Sequence, residues 1–300
     1  MMVSVIMITY GHEKYIADAI KGVFMQKTNF QIELIIANDN SPDGTDEIVK
    51  VLIESAPSNI TVLYVKHKLN KGGNANYIWA VEKAAGKYIA NCEGDDYWTD
   101  PLKLQKQVDF LEKNREYGMV CTKYKTIRES SLESANFLPS EEIDITTEIL
   151  LQSNPVGTLT VLFNRSLYFN FARDLNFKMD IDVWLHLSTA EKKIKYLPIE
   201  TAVYRVLQNS ASGRSSFKKQ AFFAKNVSAV REPFFKLSNL SAEQIDKILL
   251  KDFVLITNIL IKGKHHRIWG QEWFRYLMGN KIRINVIPIF LKQLYRLLKD

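Results

Sequence analysis

The stretch of sequence that decides the fold reads Lys87-Tyr88-Ile89-Ala90-Asn91-Cys92-Glu93-Gly94-Asp95-Asp96. The mainly apolar run up to Cys92 predicts a buried strand, and three carboxylates follow at its end. Carboxylates this close repel one another, so a fold seldom places them there unless a cation or a substrate compensates the charge. The stretch therefore predicts a candidate metal site. The alternative is a turn that caps the helix expected after Pro101.

Short β-branched runs alternate with helical patterns through the first 100 residues. Strands are expected at residues 3–8, 32–37, 61–65 and 88–92, and helices at residues 12–26, 45–54 and 74–85. This alternation predicts an α/β fold with a Rossmann-like, doubly wound and mostly parallel sheet. Ligands bind such sheets beyond the carboxyl ends of the strands. The polar clusters fall at those ends, in residues 9–11, 38–41, 70–73 and 93–96.

The later sequence is less regular. A helix is expected at residues 101–114, a strand at 158–163, a helix at 180–191 and short strands at 196–198 and 202–206. Residues 128–148 are polar and acidic, which is typical of a surface excursion. From Phe217 onward the pattern is helical and basic.

Charge is distributed unevenly along the chain. Residues 1–213 carry 23 Lys/Arg and 27 Asp/Glu, whereas residues 214–300 carry 17 and 6, so the net charge of +7 comes from the tail. We expect one domain at residues 1–213 and a basic helical region at 214–300. A basic region suits an anionic membrane surface or a pyrophosphate-linked substrate, and equally a solvated helical surface. No helix-turn-helix, zinc-finger or RNP-like pattern supports nucleic acid as a partner.

Composition and the N-terminus bear on compartment. The 300 residues are 46% hydrophobic, which is ample for a substantial core, but no apolar run is long enough to span a bilayer. The N-terminus lacks the basic start and cleavage site of a signal peptide, so we expect a cytoplasmic protein. Cys92 and Cys121 are too few for a disulfide framework, and we expect both to be core thiols.

Two polar clusters allow both a structural and a functional interpretation. Residues 38–45 are typical of a capped turn before a helix, but Asp39 could instead accept a hydrogen bond from a base or a ribose hydroxyl. Lys71-Gly72-Gly73 lacks the spacing of a phosphate loop and predicts a flexible turn.

The remaining candidates are carboxylates. Hard cations such as Mg²⁺ and Mn²⁺ take oxygen ligands, and Asp95 is the candidate ligand. Asp180 and Asp182 lie at a predicted helix start, where carboxylates favour the helix dipole, and the sharper alternative is a general base. Residues two apart on a helix point differently, so the two should not share one role. The five histidines show no metal-ligand or triad spacing.

Taken together, these segments resemble family 2 glycosyltransferases of the GT-A fold. The resemblance covers roughly residues 1–213, and the tail lies outside it. The segments that carry it are residues 3–10, 35–45, 86–98, 180–185 and 204–206, with Glu93-Gly94-Asp95-Asp96 in place of the family's DxD element.

The resemblance implies a role for individual residues. Thr9, with Tyr10 beside it, and Asp39 match positions that hold the nucleotide, and Asn76 lies where the family often has another polar residue on the nucleotide side. Asp95 matches the metal-binding Asp, Asp96 faces the donor sugar and Asp180 matches the general base of inverting members.

This chain departs from the family pattern in three places. Glu93 stands where the family has the first Asp of the DxD element, and we expect it to be a further metal ligand beside Asp95. Met179 replaces the Glu that precedes the catalytic Asp. The segment after Tyr204-Arg205 lacks the His of many members, so the metal or pyrophosphate contact of such a His is absent.

The resemblance further implies an inverting, Mn²⁺- or Mg²⁺-dependent enzyme. It would move a sugar from a nucleotide-sugar donor, expected to be a UDP-sugar, to a hydroxyl of a glycan or lipid-linked acceptor in cell-surface polysaccharide synthesis. The alternative is a catalytically inactive nucleotide-sugar or glycan-binding protein that acts as an assembly partner. Nucleotidyl transfer on a similar sheet would need a Gly-rich basic N-terminal loop, which is missing here.

The last helix-like stretch, residues 286–299, has an apolar stripe flanked by Lys292, Arg296 and Lys299. Basic amphipathic helices of this kind can lie on a membrane, which would place the protein at the inner face of the membrane. Packing of the stripe on the domain is the alternative.

Overall fold

The computed structural model describes residues 1–128, 131–134, 139–172, 179–190, 192–207, 216–279, 289 and 293. The chain forms two compact units, Met1–Arg205 and Val206–Asp300. The boundary expected after residue 213 falls in residues 208–215, outside the described residues, and stays a prediction.

The first unit begins with the predicted alternation. Its elements are β1 (Val3–Thr9), α1 (Ile16–Phe24), β2 (Ile32–Asn38), α2 (Thr45–Ile53), β3 (Ile60–Lys66), α3 (Gly73–Lys83) and β4 (Tyr88–Asn91). The strands pair in parallel, with β1 between β2 and β4 and with β3 beside β2. Helix α1 starts four residues later than expected, because the chain turns at Gly11, whose φ of +71° favours glycine.

The second half of this unit completes one sheet. Its elements are β5 (Tyr97–Trp98), α4 (Lys103–Lys113), β6 (Tyr117–Arg128), β7 (Ser131–Ser134), β8 (Ile143–Asp144), α5 (Thr147–Gln152), β9 (Leu162–Asn164), α6 (Arg165–Ala172), α7 (Asp180–Thr189) and β10 (Lys193–Arg205). The strand order is β3-β2-β1-β4-β9-β6-β10-β5, with β7 on β6 and β8 on β10. β6 and β10 are parallel, whereas β9 runs antiparallel to both of its neighbours. The predicted mostly parallel α/β sheet is confirmed.

Several expected elements of this half were wrong. The strand expected at residues 158–163 is a 3-10 turn followed by the short β9, because Gly157 O accepts from both the amide and the hydroxyl of Thr160. The two short strands near residue 200 form the single strand β10, whose pairing is irregular just after Pro198. Strand β6 was not predicted, and residues 128–148 contribute β7 and β8 to the sheet.

The core of the first unit packs helices on the sheet around Met7, Ile20, Ile36 and Trp98. Cys92 and Cys121 are buried and unpaired, as predicted. This core supports the sheet, and the polar clusters lie at the ends of its strands.

The second unit is helical, as predicted. It contains α8 (Phe217–Arg231), α9 (Ala242–Lys262) and α10 (His266–Gly279). Trp269 and Trp273 pack in its core and donate their ring N–H groups to Gln293 Oε1 at 3.1 and 2.9 Å. Apart from Ile289 and Gln293, the amphipathic stretch expected at residues 286–299 lies outside the described residues. Within the described part of the chain, no helix is both long and apolar enough to cross a bilayer.

Candidate functional site

The acidic loop, Glu93-Gly94-Asp95-Asp96, lies beside the end of β1. The chain beyond β4 continues along β1, since Cys92 N donates to Ile6 O and Gly94 N donates to Ile8 O, both at 3.0 Å. Asp39 N donates to Thr9 O at 2.9 Å, which brings the end of β2 to the same place. The predicted polar clusters therefore meet at one edge of the sheet, as expected for parallel strands.

Gly94 permits this close approach. A Cβ at this position would lie 2.6 Å from Thr9 Oγ1 and 3.0 Å from His12 Nδ1. Any other residue would push the acidic loop away from β1.

The three carboxylates of the loop form one cluster. Ligand oxygens of Glu93, Asp95 and Asp96 all lie within 4.8 Å of one another. Asp96 is completely buried, and its Oδ1 accepts from Arg205 N at 2.8 Å. Its Oδ2 is also buried and has no hydrogen-bond partner among the described residues. Asp95 keeps 17% of its side chain exposed, so the cluster has an opening to solvent.

Electrostatics leave this cluster unbalanced. Burial, reinforced by the charges of Asp95 and Asp180, raises the pKa of Glu93 to about 8. Burial and the charges of Asp95 and Glu93 raise the pKa of Asp96 well above its usual value, despite the bond from Arg205. The folded chain thus favours protonation of these groups unless positive charge arrives from outside.

The cluster fits a divalent cation. Its donors are carboxylate oxygens, which Mg²⁺ and Mn²⁺ prefer, and a protein usually supplies only one or two of them to such an ion. The unpartnered Asp96 Oδ2 is a buried acceptor that a cation, or water held by it, would satisfy.

Arg205, at the end of β10, holds the loop in place. Its Nη1 donates to Asp95 O at 2.9 Å, and its Nη2 donates to Asp18 Oδ2 in α1 at 2.5 Å. The guanidinium lies 4.3 Å from the centre of the Tyr97 ring. These contacts tie residues 95–97 to the end of β10 and to helix α1.

Asp180 opens helix α7 and is fixed by several donors. Its Oδ1 accepts from Ile181 N at 2.7 Å, and its Oδ2 accepts from Thr158 Oγ1 at 3.1 Å. Burial raises the pKa of Asp180, and these bonds offset part of the rise. The charge of Asp180 adds to the effects of burial and Asp95 that raise the pKa of Glu93, so the two candidate carboxyls interact.

Asp182 does not join this group. It lies against His186 one turn further along α7, with 3.4 Å between Asp182 Oδ1 and His186 Nδ1. The two Asp residues therefore have different surroundings, as their spacing predicts.

The nucleotide-side candidates differ in what they offer. The carboxylate of Asp39 accepts from the amides of Lys71 and Gly72 at 2.7 and 2.9 Å. Tyr10 is half exposed and Thr9 is buried. Asn76 uses both ends of its amide within the protein, toward His67 Nε2 and Ala37 O, at 2.9 Å each. The structure therefore brings Thr9 and Asp39 to the site edge and turns the amide of Asn76 inward.

Several residues of the site were missed at the sequence level. His12, Tyr77, Thr158 and the side-chain role of Arg205 are examples. Tyr77 donates to Asn91 Oδ1 at 3.2 Å, and burial raises its pKa, with smaller contributions from the charges of Glu93 and Asp180. No spacing motif signals these residues, because each comes from a different segment of the chain.

Comparisons with known proteins agree with this geometry. The family model described as Glycosyl transferase family 2 matches residues 4–170. An uncharacterized protein of Mycobacterium tuberculosis is 36% identical over 205 residues, which are 67% of this chain and 58% of that protein. This chain thus spans little more than half of that relative.

A better covered relative is the Escherichia coli protein WfgD, a UDP-Glc:alpha-D-GlcNAc-diphosphoundecaprenol beta-1,3-glucosyltransferase. It is 31% identical over 186 residues, covering 62% of this chain and 69% of WfgD.

Among solved structures, residues 1–349 of Staphylococcus aureus TarS in complex with UDP-GlcNAc align with a TM-score of 0.62. The alignment covers 98% of this chain and 80% of that one at 16% identity, so it bears on the fold alone. The GT-A fold and the family resemblance are both confirmed. The chain belongs to glycosyl transferase family 2.

Proposed function

We propose that this glycosyltransferase is an inverting, metal-dependent enzyme that transfers a sugar from a UDP-sugar to a hydroxyl of a lipid-linked glycan in cell-surface polysaccharide synthesis. The observation that carries the proposal is the pairing of an unbalanced acidic cluster, with the unpartnered Asp96 Oδ2, and the buried carboxylate of Asp180 in one site.

The donor is proposed from the relatives. WfgD is named for a UDP-glucose donor, and TarS was solved with UDP-GlcNAc. In this chain, Thr9, Tyr10 and Asp39 stand at the edge where the base and ribose would lie. Asp39 already accepts two backbone amides, and its remaining lone pairs can take a further donor from the nucleotide.

Asp180 acts as the general base. Its carboxylate takes the proton of the acceptor hydroxyl while that oxygen attacks the anomeric carbon. The bond from this carbon to the diphosphate oxygen breaks in the same displacement, so the anomeric centre inverts. A base works best when its pKa approaches the working pH, and burial moves the pKa of Asp180 upward.

Asp95 and, with it, Glu93 would hold Mn²⁺ or Mg²⁺, and the unpartnered Oδ2 of Asp96 would accept from the donor sugar or from water held by the cation. When bound, the cation neutralises charge on the departing diphosphate. Arg205 ties this loop to β10 and α1, so the carboxylates are positioned before the substrate arrives.

The acceptor and location follow from the same relatives. WfgD is named for a diphosphoundecaprenol-linked acceptor. We propose that this chain works in the cytoplasm at the inner face of the membrane. In this proposal residues 1–213 form the catalytic domain, and the basic residues 214–300 contact the membrane surface.

A donor screen tests the proposal. UDP-sugars and GDP-sugars are added with Mn²⁺ or Mg²⁺, and both thermal stabilisation and release of the nucleoside diphosphate are measured. We expect one UDP-sugar to stabilise the protein and to be slowly hydrolysed only with the cation. Binding without hydrolysis or transfer to any glycan acceptor would favour the inactive assembly partner, and no binding would contradict both.

A further inference from the structure

His12 lies in the loop between β1 and α1, and its backbone is pinned there. His12 N donates to Thr45 Oγ1 at 3.0 Å, and the preceding Gly11 N donates to Ser41 Oγ at 3.1 Å. His12 O accepts from the amides of Tyr15 and Ile16 at the start of α1, both at 2.9 Å. The position of the His12 backbone is therefore set by the fold.

The imidazole bridges the nucleotide side and the acidic cluster. Its Nδ1 lies 3.2 Å from Thr9 Oγ1, and its Nε2 lies 3.9 Å from Asp95 Oδ2. When Nδ1 donates to the hydroxyl, Nε2 carries a lone pair that faces Asp95. The His12 side chain is 19% exposed and that of Asp95 17%, so both border the same opening.

The distance between Nε2 and the Asp95 oxygen is informative. At 3.9 Å it is too long for a hydrogen bond. Two ligands of one octahedral ion with bonds of about 2.1 Å lie about 3 Å apart when adjacent and about 4.2 Å apart when opposite. At 3.9 Å the two atoms are farther apart than adjacent ligands and closer than opposite ones, so a small shift of either side chain lets one cation contact both groups.

We propose that His12 Nε2 is a nitrogen ligand of the cation held by Asp95. It would make the site prefer Mn²⁺ or a similar transition metal to Mg²⁺, because imidazole suits transition metals and Mg²⁺ keeps to oxygen. The hydroxyl of Thr9 fixes the tautomer and the ring orientation, as outer-shell partners of metal-binding histidines do. The inference rests on the cation site of the proposed function.

The residues that directly follow β10 contain no histidine that could be a further ligand of this site, since none occurs between Arg205 and His265. His186 is turned toward Asp182. A nitrogen ligand from the β1–α1 loop is thus the arrangement that the described residues support.

The test uses the full chain, with Mn²⁺ or Mg²⁺ as the only ligand. Electron spin echo spectroscopy of bound Mn²⁺ should show coupling to one imidazole nitrogen, and His12→Gln should abolish it. Calorimetry should show Mn²⁺ affinity falling about tenfold or more in His12→Gln, with Mg²⁺ affinity changed less than about twofold. His266→Gln, exposed on α10, is the matched control and should change neither.

The outcomes separate this inference from the proposed function. Asp95→Asn should abolish binding of both ions; if it does while the nitrogen coupling is missing from the wild type, the inference is wrong and the cation site stands. Unchanged Mn²⁺ affinity in His12→Gln with weaker UDP binding would also overturn it, since His12 would then contact the diphosphate. If Asp95→Asn binds Mn²⁺ normally, the cation site itself fails. Thermal melting of His12→Gln checks that the variant folds.

Discussion

The ends of strands β2 and β4 both carry buried carboxylates, but only those at the end of β2 have all their oxygens hydrogen-bonded within the described residues. At the end of β2, Asp39 is buried and its two oxygens accept from the amides of Lys71 and Gly72. At the end of β4, Asp96 is equally buried, yet one oxygen has no partner among the described residues, and its pKa and that of Glu93 are raised.

A ligand must therefore supply positive charge at the end of β4 and not at the end of β2. The carboxylate of Asp39 already accepts hydrogen bonds from backbone amides, so it is stable without a ligand and can still accept one more donor. The uncompensated carboxylates of Glu93, Asp95 and Asp96 lower the free energy of unfolding of the cation-free protein, and binding of a cation raises it. We therefore assign the nucleotide edge to the β2 end and the cation to the β4 end.

The largest expected effect is on turnover. Asp180→Asn removes the general base, so turnover should fall by about 10²- to 10⁴-fold while UDP affinity with Mn²⁺ stays nearly unchanged. The measurement is steady-state transfer beside calorimetry with UDP.

Asp182→Asn is the matched control, since it lies on the same helix but faces His186. It should retain turnover within a few-fold. Equal loss of turnover in both variants, or joint loss of turnover and UDP binding in Asp180→Asn, would make Asp180 a structural residue.

The next largest effect is on Mn²⁺ affinity, through the loop that carries Glu93, Asp95 and Asp96. Arg205→Ala removes the bond to Asp95 O and the stacking on Tyr97, so Mn²⁺ affinity should fall by about 10- to 100-fold. Arg205→Lys should recover part of the loss, because a lysine keeps the charge but cannot make both contacts.

Arg165→Ala serves as the control, since Arg165 also bonds a backbone carbonyl, that of Gly86. It should lower thermal stability without changing Mn²⁺ affinity. If both alanine variants weaken Mn²⁺ binding equally, Arg205 affects binding through the overall stability of the fold and not by positioning the acidic loop.

A third prediction sets the two strand ends against each other directly. Without cations, Asp39→Asn should lower the free energy of unfolding by about 1–3 kcal/mol, because one backbone amide then faces an NH₂ group. Asp96→Asn should raise it by about 1 kcal/mol, the scale of one pKa unit, because it removes one repelling carboxyl. Urea unfolding in a chelator measures both. Destabilisation of similar size in both variants would break the comparison.

A further expected effect is on the pH dependence of stability. The pKa of Glu93 is raised from 4.5 to about 8, so between these values the folded state binds more protons than the unfolded state. The free energy of unfolding of the cation-free protein should therefore fall as pH rises through this window, by at most about 1.4 kcal/mol per pH unit for this group.

Glu93→Gln should flatten this dependence, and Mn²⁺ should reverse it, because the cation binds the deprotonated groups. Stability measured from pH 5 to 8 in chelator and in Mn²⁺ tests both points. An identical slope in wild type and Glu93→Gln would exclude Glu93 as its source.

The sequence predicted the first half of the fold well, because its signals are local. Alternation of apolar runs and helical patterns located β1 to β4, and the turn residues located the polar ends of the strands. The second half was predicted poorly. Strand β6 mixes Lys123 and Lys125 with apolar residues, and β10 contains Pro198, so neither shows a clean alternation.

The site shows the same limit. Asp95 and Asp180 could be chosen from motifs, but whether each is satisfied depends on groups distant in sequence. Arg205 N, which bonds Asp96, is 109 positions away, and His12 approaches Asp95 only because Gly94 lets the loop pack on β1. Such juxtapositions are properties of the folded sheet.

Calorimetry of UDP binding with and without Mn²⁺, in the wild type and in Asp95→Asn, tests whether the acidic cluster at the end of β4 holds a cation that binds the nucleotide. We expect Mn²⁺ to raise the UDP affinity of the wild type at least about tenfold, and Asp95→Asn to lose this gain while still binding UDP weakly through the β2 end. Equal UDP affinity with and without Mn²⁺ in the wild type, or a full Mn²⁺ effect in Asp95→Asn, would contradict this cation site.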